Sequence, residues 1–190
     1  APFILPSESA ALFAAGGGYL FPEKAVANTV YPTTGYSVAS IFVKPLAAGA
    51  QPLLLLHNAA FGANQTVTYM AESDSVVGGA TNAAGTVIGM ERYPDGWRRI
   101  YVAAQATSGV ATYAPLLWPT AANTGAFLFG GMQLEWLGYP TSYIPTNGGA
   151  VTRAQDNGLS WAVPAGMLHP TDGTLIADIV PRNAVVGDVT

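Results

Sequence analysis

The chain reads as all-β, an antiparallel jelly-roll β-sandwich, on three observations. Its 22 Gly and 14 Pro recur at short intervals along the sequence, as turns between strands do. The segments between them alternate with period two, so successive side chains point to opposite faces. These segments follow one another at hairpin-scale spacing, which is the pattern of two packed antiparallel sheets.

Residues 1–18 form an N-terminal arm in which "SESAALFAAGGG" predicts a short helix, with Ser7 as cap, Ala10 to Ala15 as helix formers and Gly16 as stop. The sandwich is expected over residues 19–138. In "YSVASIFVK" (36–44), Tyr36, Val38, Ser40 and Phe42 share one face, and Ser37, Ala39, Ile41 and Val43 the other. Both faces are largely apolar, which predicts a central strand covered on two sides. "LLLLHNAAF" (53–61), between Pro52 and Gly62, predicts a buried strand. Further strands are expected in "TVTYMA" (66–71), "GTVIGM" (85–90), "WRRIYVAAQ" (97–105), "GVATYAPLLW" (109–118) and "AFLFGGMQLEW" (126–136). Turns at "PDG" (94–96) and "TSG" (107–109) separate some of them.

Composition narrows the function classes. Hydrophobic residues make up 50% and charged residues 9% of the chain, against roughly 25% charged in ordinary soluble domains. A surface so poor in charge suits a component packed among other subunits. The net charge is −4, and the 7 basic residues are scattered apart from Arg98 and Arg99, so the basic patch of a nucleic-acid binder is missing. Without cysteine there are no disulfides and no thiolate metal ligands. The apolar run "PLLLL" falls far short of the roughly 20 residues that span a bilayer, so no membrane insertion is expected. Since the chain opens on "APFILPSES", it is expected to be processed or a piece of something longer.

Residues that could carry chemistry are few. His57 and His169 have no partner histidine at ligand spacing, and no G-x-S-x-G elbow supplies an activated serine. Both histidines are read as structural, and no catalytic residue, metal or cofactor is assigned. Glycan-cleaving enzymes use two carboxylates, which draws attention to Glu72 and Asp74, to Glu91 and Asp95, and to Glu135. Glu72 and Asp74 could hold Ca²⁺ through hard oxygens; a solvated loop is the reading preferred. Glu135 is expected on one strand face with Phe127, Phe129 and Gln133, a face that could meet sugar or close hydrogen bonds within the sandwich, the second being the reading preferred. Tyr69, Tyr101, Tyr113, Trp118 and Trp136 are the candidate glycan platforms, since sugar rings stack on aromatic faces. The competing role for such aromatics is core or subunit interface. Trp97, after the "PDG" turn, is assigned to the core.

Three stretches in order resemble a jelly-roll module of tailed-bacteriophage virion proteins, one described as carbohydrate-binding-module-like. They are "YSVASIFVKP", "ERYPDGWRRIYVAA" (91–104) and "FLFGGMQLEWLGYPTSYIPTNGGAVTRAQD" (127–156). The last carries the "QLE" step, the "PTSYIPT" exit and the "TRA" close. The chain departs from the pattern at Arg98, where an aromatic is common, and at Phe129, where tryptophan is common. After Asp156, "LSWAVPAGMLHPTDGTLIADIVP" (159–181) is similar to the opening strands of a concanavalin-A/laminin-G-like sandwich, so residues 157–190 are expected to be a partial second β element.

Between the two lies an extended strap, residues 139–156. Pro140 and Pro145 fix φ and withhold backbone donors, which keeps the segment out of a central sheet position. Tyr143 and Ile144 are its expected anchors, and Tyr139 joins them as a partner-contact residue. The resemblance implies a non-enzymatic virion structural protein at the particle surface, a subunit of a head or tail appendage or of the capsid surface. Its expected partners are other virion proteins, further copies of itself in a homo-oligomer such as a trimer, and a host glycan. The alternatives are a carbohydrate-binding module of a glycan-degrading enzyme and a glycan-processing enzyme using two carboxylates.

Overall fold

A computed structural model describes residues 11–13, 29–112 and 115–144. Their strands are β1 (Ala11–Phe13), β2 (Thr29–Val30), β3 (Ser37–Pro45), β4 (Pro52–Leu56), β5 (Gln65–Met70), β6 (Ser75–Gly78), β7 (Val87–Arg92), β8 (Arg98–Ala104), β9 (Ala111–Thr112), β10 (Leu116–Pro119) and β11 (Phe127–Glu135). They build a five-stranded sheet, ordered β1-β11-β3-β8-β7, and a four-stranded sheet, ordered β10-β4-β5-β6, with β2 and β9 as a separate pair. Every pairing is antiparallel. The protein is therefore an all-β sandwich. The early strands β3 and β4 pair with the late strands β11 and β10, one pair in each sheet, so the two ends of the sandwich chain are rolled together.

The period-two alternation explains the core. Ala39, Ile41 and Val43 of β3, with Ile100, Val102 and Ala104 of β8, turn inward against Leu54 and Leu56 of β4, Val67 and Tyr69 of β5 and Leu117 of β10. Each fully buried aliphatic side chain of this set contributes about 1.5–3 kcal/mol relative to exposure.

Besides the division of the expected strand 109–118 between β9 and β10, which lie in separate sheets, three local expectations change. The N-terminal helix is replaced at Ala11–Phe13 by β1, which pairs Ala11 with Phe129 and Phe13 with Phe127. So short a helix has too few internal bonds to persist in water, whereas the edge of β11 offers unpaired backbone groups. Strand β4 ends at Leu56 rather than running to Phe61: His57 caps the single-turn helix α1 (Asn58–Phe61), its Nδ1 accepting from the Ala59 amide at 3.3 Å. This is the structural role expected of His57; His169 lies outside the described residues.

The third change is the most consequential. In β11, Gly130 lies opposite Phe42 and Gln133 opposite Ser40, so Gly131 and Met132 together face Ile41. This β-bulge is made possible by Gly131 at φ +60°, where a residue with a Cβ would be strained. The extra residue reverses the alternation. Phe127 and Phe129 face the inter-sheet core, while Gln133 and Glu135 emerge on the outer face of the five-stranded sheet, beside Ser40 and Val38. The four therefore do not share one face.

Candidate functional site

The outer face of the five-stranded sheet holds an unusual row: Phe42 on β3, Arg99 on β8 and Glu91 on β7 lie in register, with Ser40 and Tyr101 in the next row. Arg99 is 1% exposed. A guanidinium so deeply placed requires partners for its donors. Its Nε and Nη2 donate to the Ser40 hydroxyl at 3.2 and 2.9 Å. Glu91 and Glu135 carboxylate oxygens each stand 3.9 Å from it, and its cationic carbon sits 5.5 Å from the centre of the Phe42 ring.

The remaining partner comes from the strap. Arg99 Nη1 donates to the Thr141 carbonyl. The Glu135 carboxylate accepts from the Thr141 amide, at 3.1 Å for the nearer oxygen, and from the Thr141 hydroxyl. Gln133 Oε1 accepts from the Ile144 amide at 3.0 Å. Tyr143 then lays its ring edge-on to Phe42, 5.4 Å between centres, in a cluster with Trp97, Tyr93 and Leu128. Burial pushes the Tyr143 hydroxyl pKa up. It does the same for Tyr93, whose hydroxyl is also held by Glu91 at 2.8 Å.

The described part of the strap, 139–144, thus runs along the outer face as expected and is clasped there by side chains rather than by strand pairing. Trp97 is buried as assigned, but beneath this clasp and not between the sheets. Two of the carboxylates considered for catalysis, Glu91 and Glu135, have structural partners here: a tyrosine hydroxyl, a threonine and one shared arginine.

Among the remaining acids Glu72 is exposed in its turn, whereas Asp74 meets neither loop solvation nor Ca²⁺. Asp74, in the β5–β6 turn with φ +45°, accepts from Arg98 Nε at 2.6 Å, from Arg92 Nε at 3.0 Å and from the Tyr69 hydroxyl at 2.9 Å. Arg92 and Arg98 are directly opposite one another in β7 and β8, a like-charge pairing that costs stability unless an anion lies between them. Asp74 supplies that anion from the other sheet and so ties the two layers at their rim. The Arg98 bond leads in holding its carboxyl down to about 2, helped by Arg92 and Tyr69.

The sign of the pH effect follows. The folded-state pKa lies below the ordinary 3.8, so the stabilisation is present above about pH 4 and is lost as pH falls toward 2. With the Asp74 side chain 37% exposed, solvent screening reduces the effect to about 1 kcal/mol. Urea melts at pH 5 and pH 2.5 are expected to show an acid loss smaller by that amount in Asp74→Asn. An unchanged loss in the variant rules the clamp out as its source.

The glycan candidates are dispersed. Tyr69 is 1% exposed, its ring in the core and its hydroxyl on Asp74, so it has no face to offer a sugar; burial above all pushes its pKa up to about 12. Tyr101 is half-buried on the outer face of the five-stranded sheet and lies across Gly89, where an added Cβ would meet its hydroxyl at 2.1 Å. Trp118 is half-buried on β10 beside Leu53, in the other sheet. Tyr113 lies outside the described residues. Trp136 is 52% exposed and Tyr139 66%. With exposed Leu137 they give an apolar ridge along residues 136–139, where the chain leaves β11; Trp136 stands edge-on to Tyr31 at 5.7 Å, and Gly138 lies close to Tyr36. Residues 145–190, with the rest of the strap and the partial second element, lie outside the described residues.

Sequence reading missed Arg99 and Ser40. The available signal was Arg99, between Arg98 and Ile100 in an otherwise apolar strand, and Ser40 between Ala39 and Ile41, together with the Gly130–Gly131 pair inside a strand. The architecture and the clasp define a class: an antiparallel β-sandwich whose outgoing chain is fastened across its own outer face. Compared with known protein families and with curated proteins, the chain matches none.

Proposed function

We propose that the chain is a structural module of a phage virion, a jelly-roll sandwich subunit of a head or tail appendage or of the capsid surface that also recognises a host glycan. The observation that carries this reading is the clasp. Gln133, Glu135, Thr141, Tyr143 and Ile144 belong to the stretch that resembles the phage module, and they are the residues that bind the strap to the sheet. A module that must hold its successor at a set angle under load needs its exit fastened in this way. The 9% charge and the Trp136–Tyr139 ridge suit contact with other virion proteins and with further copies of the chain.

The test is the association state. Light scattering over a concentration series is expected to give a trimer or larger oligomer, and Trp136→Ser with Tyr139→Ser is expected to reduce it. A stable monomer at high concentration removes the support for self-assembly. The second reading, a carbohydrate-binding module of a glycan-degrading enzyme, is favoured by the same exposed aromatics, and tight glycan-array binding by a monomer selects it.

A further inference from the structure

We infer that a groove at one end of the sandwich, between loop 83–86 and the turn 104–107, is a binding site for a neutral saccharide. The inference rests on the glycan-recognition part of the function proposed above and assigns it to a place none of the five candidate platforms occupies. The groove has a volume of about 480 Å³, within the range of small-molecule sites. None of its lining residues is charged, so no side chain there favours an anion or a cation. Half of its lining is alanine and glycine, which let a ligand come close to backbone amides and carbonyls. Thr33, Gln105 and Thr107 add hydroxyl and amide groups along an exposed rim.

Tyr36 supplies the aromatic face. It is 36% exposed and its hydroxyl donates to the Gly85 carbonyl at 3.2 Å, which fixes the ring at the groove wall. That fixing is what a stacking platform for a sugar C–H face requires. Both sides of the groove are set before any ligand arrives. Gln65, fully buried, accepts at Oε1 from the Ala83 amide and the Thr86 hydroxyl, each at 2.7 Å. The Thr107 amide donates to the Ala60 carbonyl at 2.8 Å, and Gln105 Nε2 to the Thr33 carbonyl at 2.9 Å. The last bond leaves Gln105 Oε1 available as an acceptor for a sugar hydroxyl. Little loop ordering is then lost on binding. Beyond Tyr36 the chain passes close by at Gly138, so an oligosaccharide that extends past the ring meets further surface.

Amide chemical-shift titration of the full chain with maltotriose, cellotriose and chitotriose, and with sialyllactose as a charged control, tests the site. At least one neutral trisaccharide is expected to shift the Gly85, Thr86 and Gln105 amides, with Tyr36→Ala weakening its binding at least tenfold. Ala84→Trp, a change at an exposed position that fills the groove without touching the core, is expected to do the same while leaving the melting temperature unchanged. It carries the test if Tyr36→Ala is poorly folded. Saccharide binding that shifts amides elsewhere, or survives Ala84→Trp, overturns the groove assignment and leaves glycan recognition standing. Absence of binding by every probe overturns both, while the light-scattering result still decides self-assembly separately.

Discussion

Arg99→Met is expected to lower the unfolding free energy by about 3 kcal/mol, because it removes a buried cation and leaves two partly buried carboxylates facing a group that no longer carries charge. Glu91 and Glu135 both stand 3.9 Å from the guanidinium, and the Ser40 hydroxyl and the Thr141 carbonyl lose a donor. Much of the loss is the penalty of the stranded partners. Adding Glu135→Gln and Glu91→Gln to Arg99→Met is therefore expected to recover part of it. The strap reports separately: in Arg99→Met the Thr141 and Ile144 amides are expected to exchange with solvent far faster, since their acceptors are the Glu135 and Gln133 side chains. Denaturant melts and exchange rates that match the parent chain would show that the clasp is incidental.

The second large effect is expected at Phe42. This ring is fully buried on the outer face of β3, with Tyr93 at 5.1 Å and Tyr143 at 5.4 Å, both edge-on, and Arg99 above it. Phe42→Ala is expected to cost about 3–5 kcal/mol, the usual loss for a buried aromatic that leaves a cavity. Tyr143→Ala, by contrast, removes only the strap's half of the contact and is expected to cost about 1 kcal/mol while speeding exchange at Ile144. A double-mutant cycle of the two is expected to show coupling, since the rings touch. If Tyr143→Ala lowers global stability as much as Phe42→Ala, the strap is part of the sandwich core and not a fastening laid upon it.

The two results bear on function together. A tether that separates from the sheet while the sandwich stays folded can transmit an angle and be tuned without remaking the core. Strap and sandwich that melt as one unit serve only stability. The Asp74 clamp works at a different place, between the two sheets at their rim, and its acid sensitivity is expected to leave exchange at Ile144 unchanged.

The two-sheet architecture was legible in the sequence because alternation is a local property. That Ile41 and Phe42 face opposite ways follows from neighbours one residue away, and the expected split of β3 into two faces matches the structure. The segments 66–71, 97–105 and 126–136 become β5, β8 and β11 within a residue or two. Of "YPTSYIPT", residues 139–144 are described, and there Tyr143 anchors the segment on the sheet surface against Phe42 as expected.

What alternation could not convey is any change of phase along a strand, or any partner far off in the chain. The bulge at Gly131 turns Gln133 and Glu135 from the expected face to the opposite one. Arg99 meets Ser40 across 59 residues and Thr141 across 42, while Asp74 reaches Arg98 across 24. The sequence alone determined most of the long strands, though not β1, β2 or β6, and roughly where the chain leaves them, since both follow from each residue's own backbone and side-chain preferences. Only the tertiary structure decided which polar groups meet, because a buried charge takes its role from whatever the fold brings within reach of it.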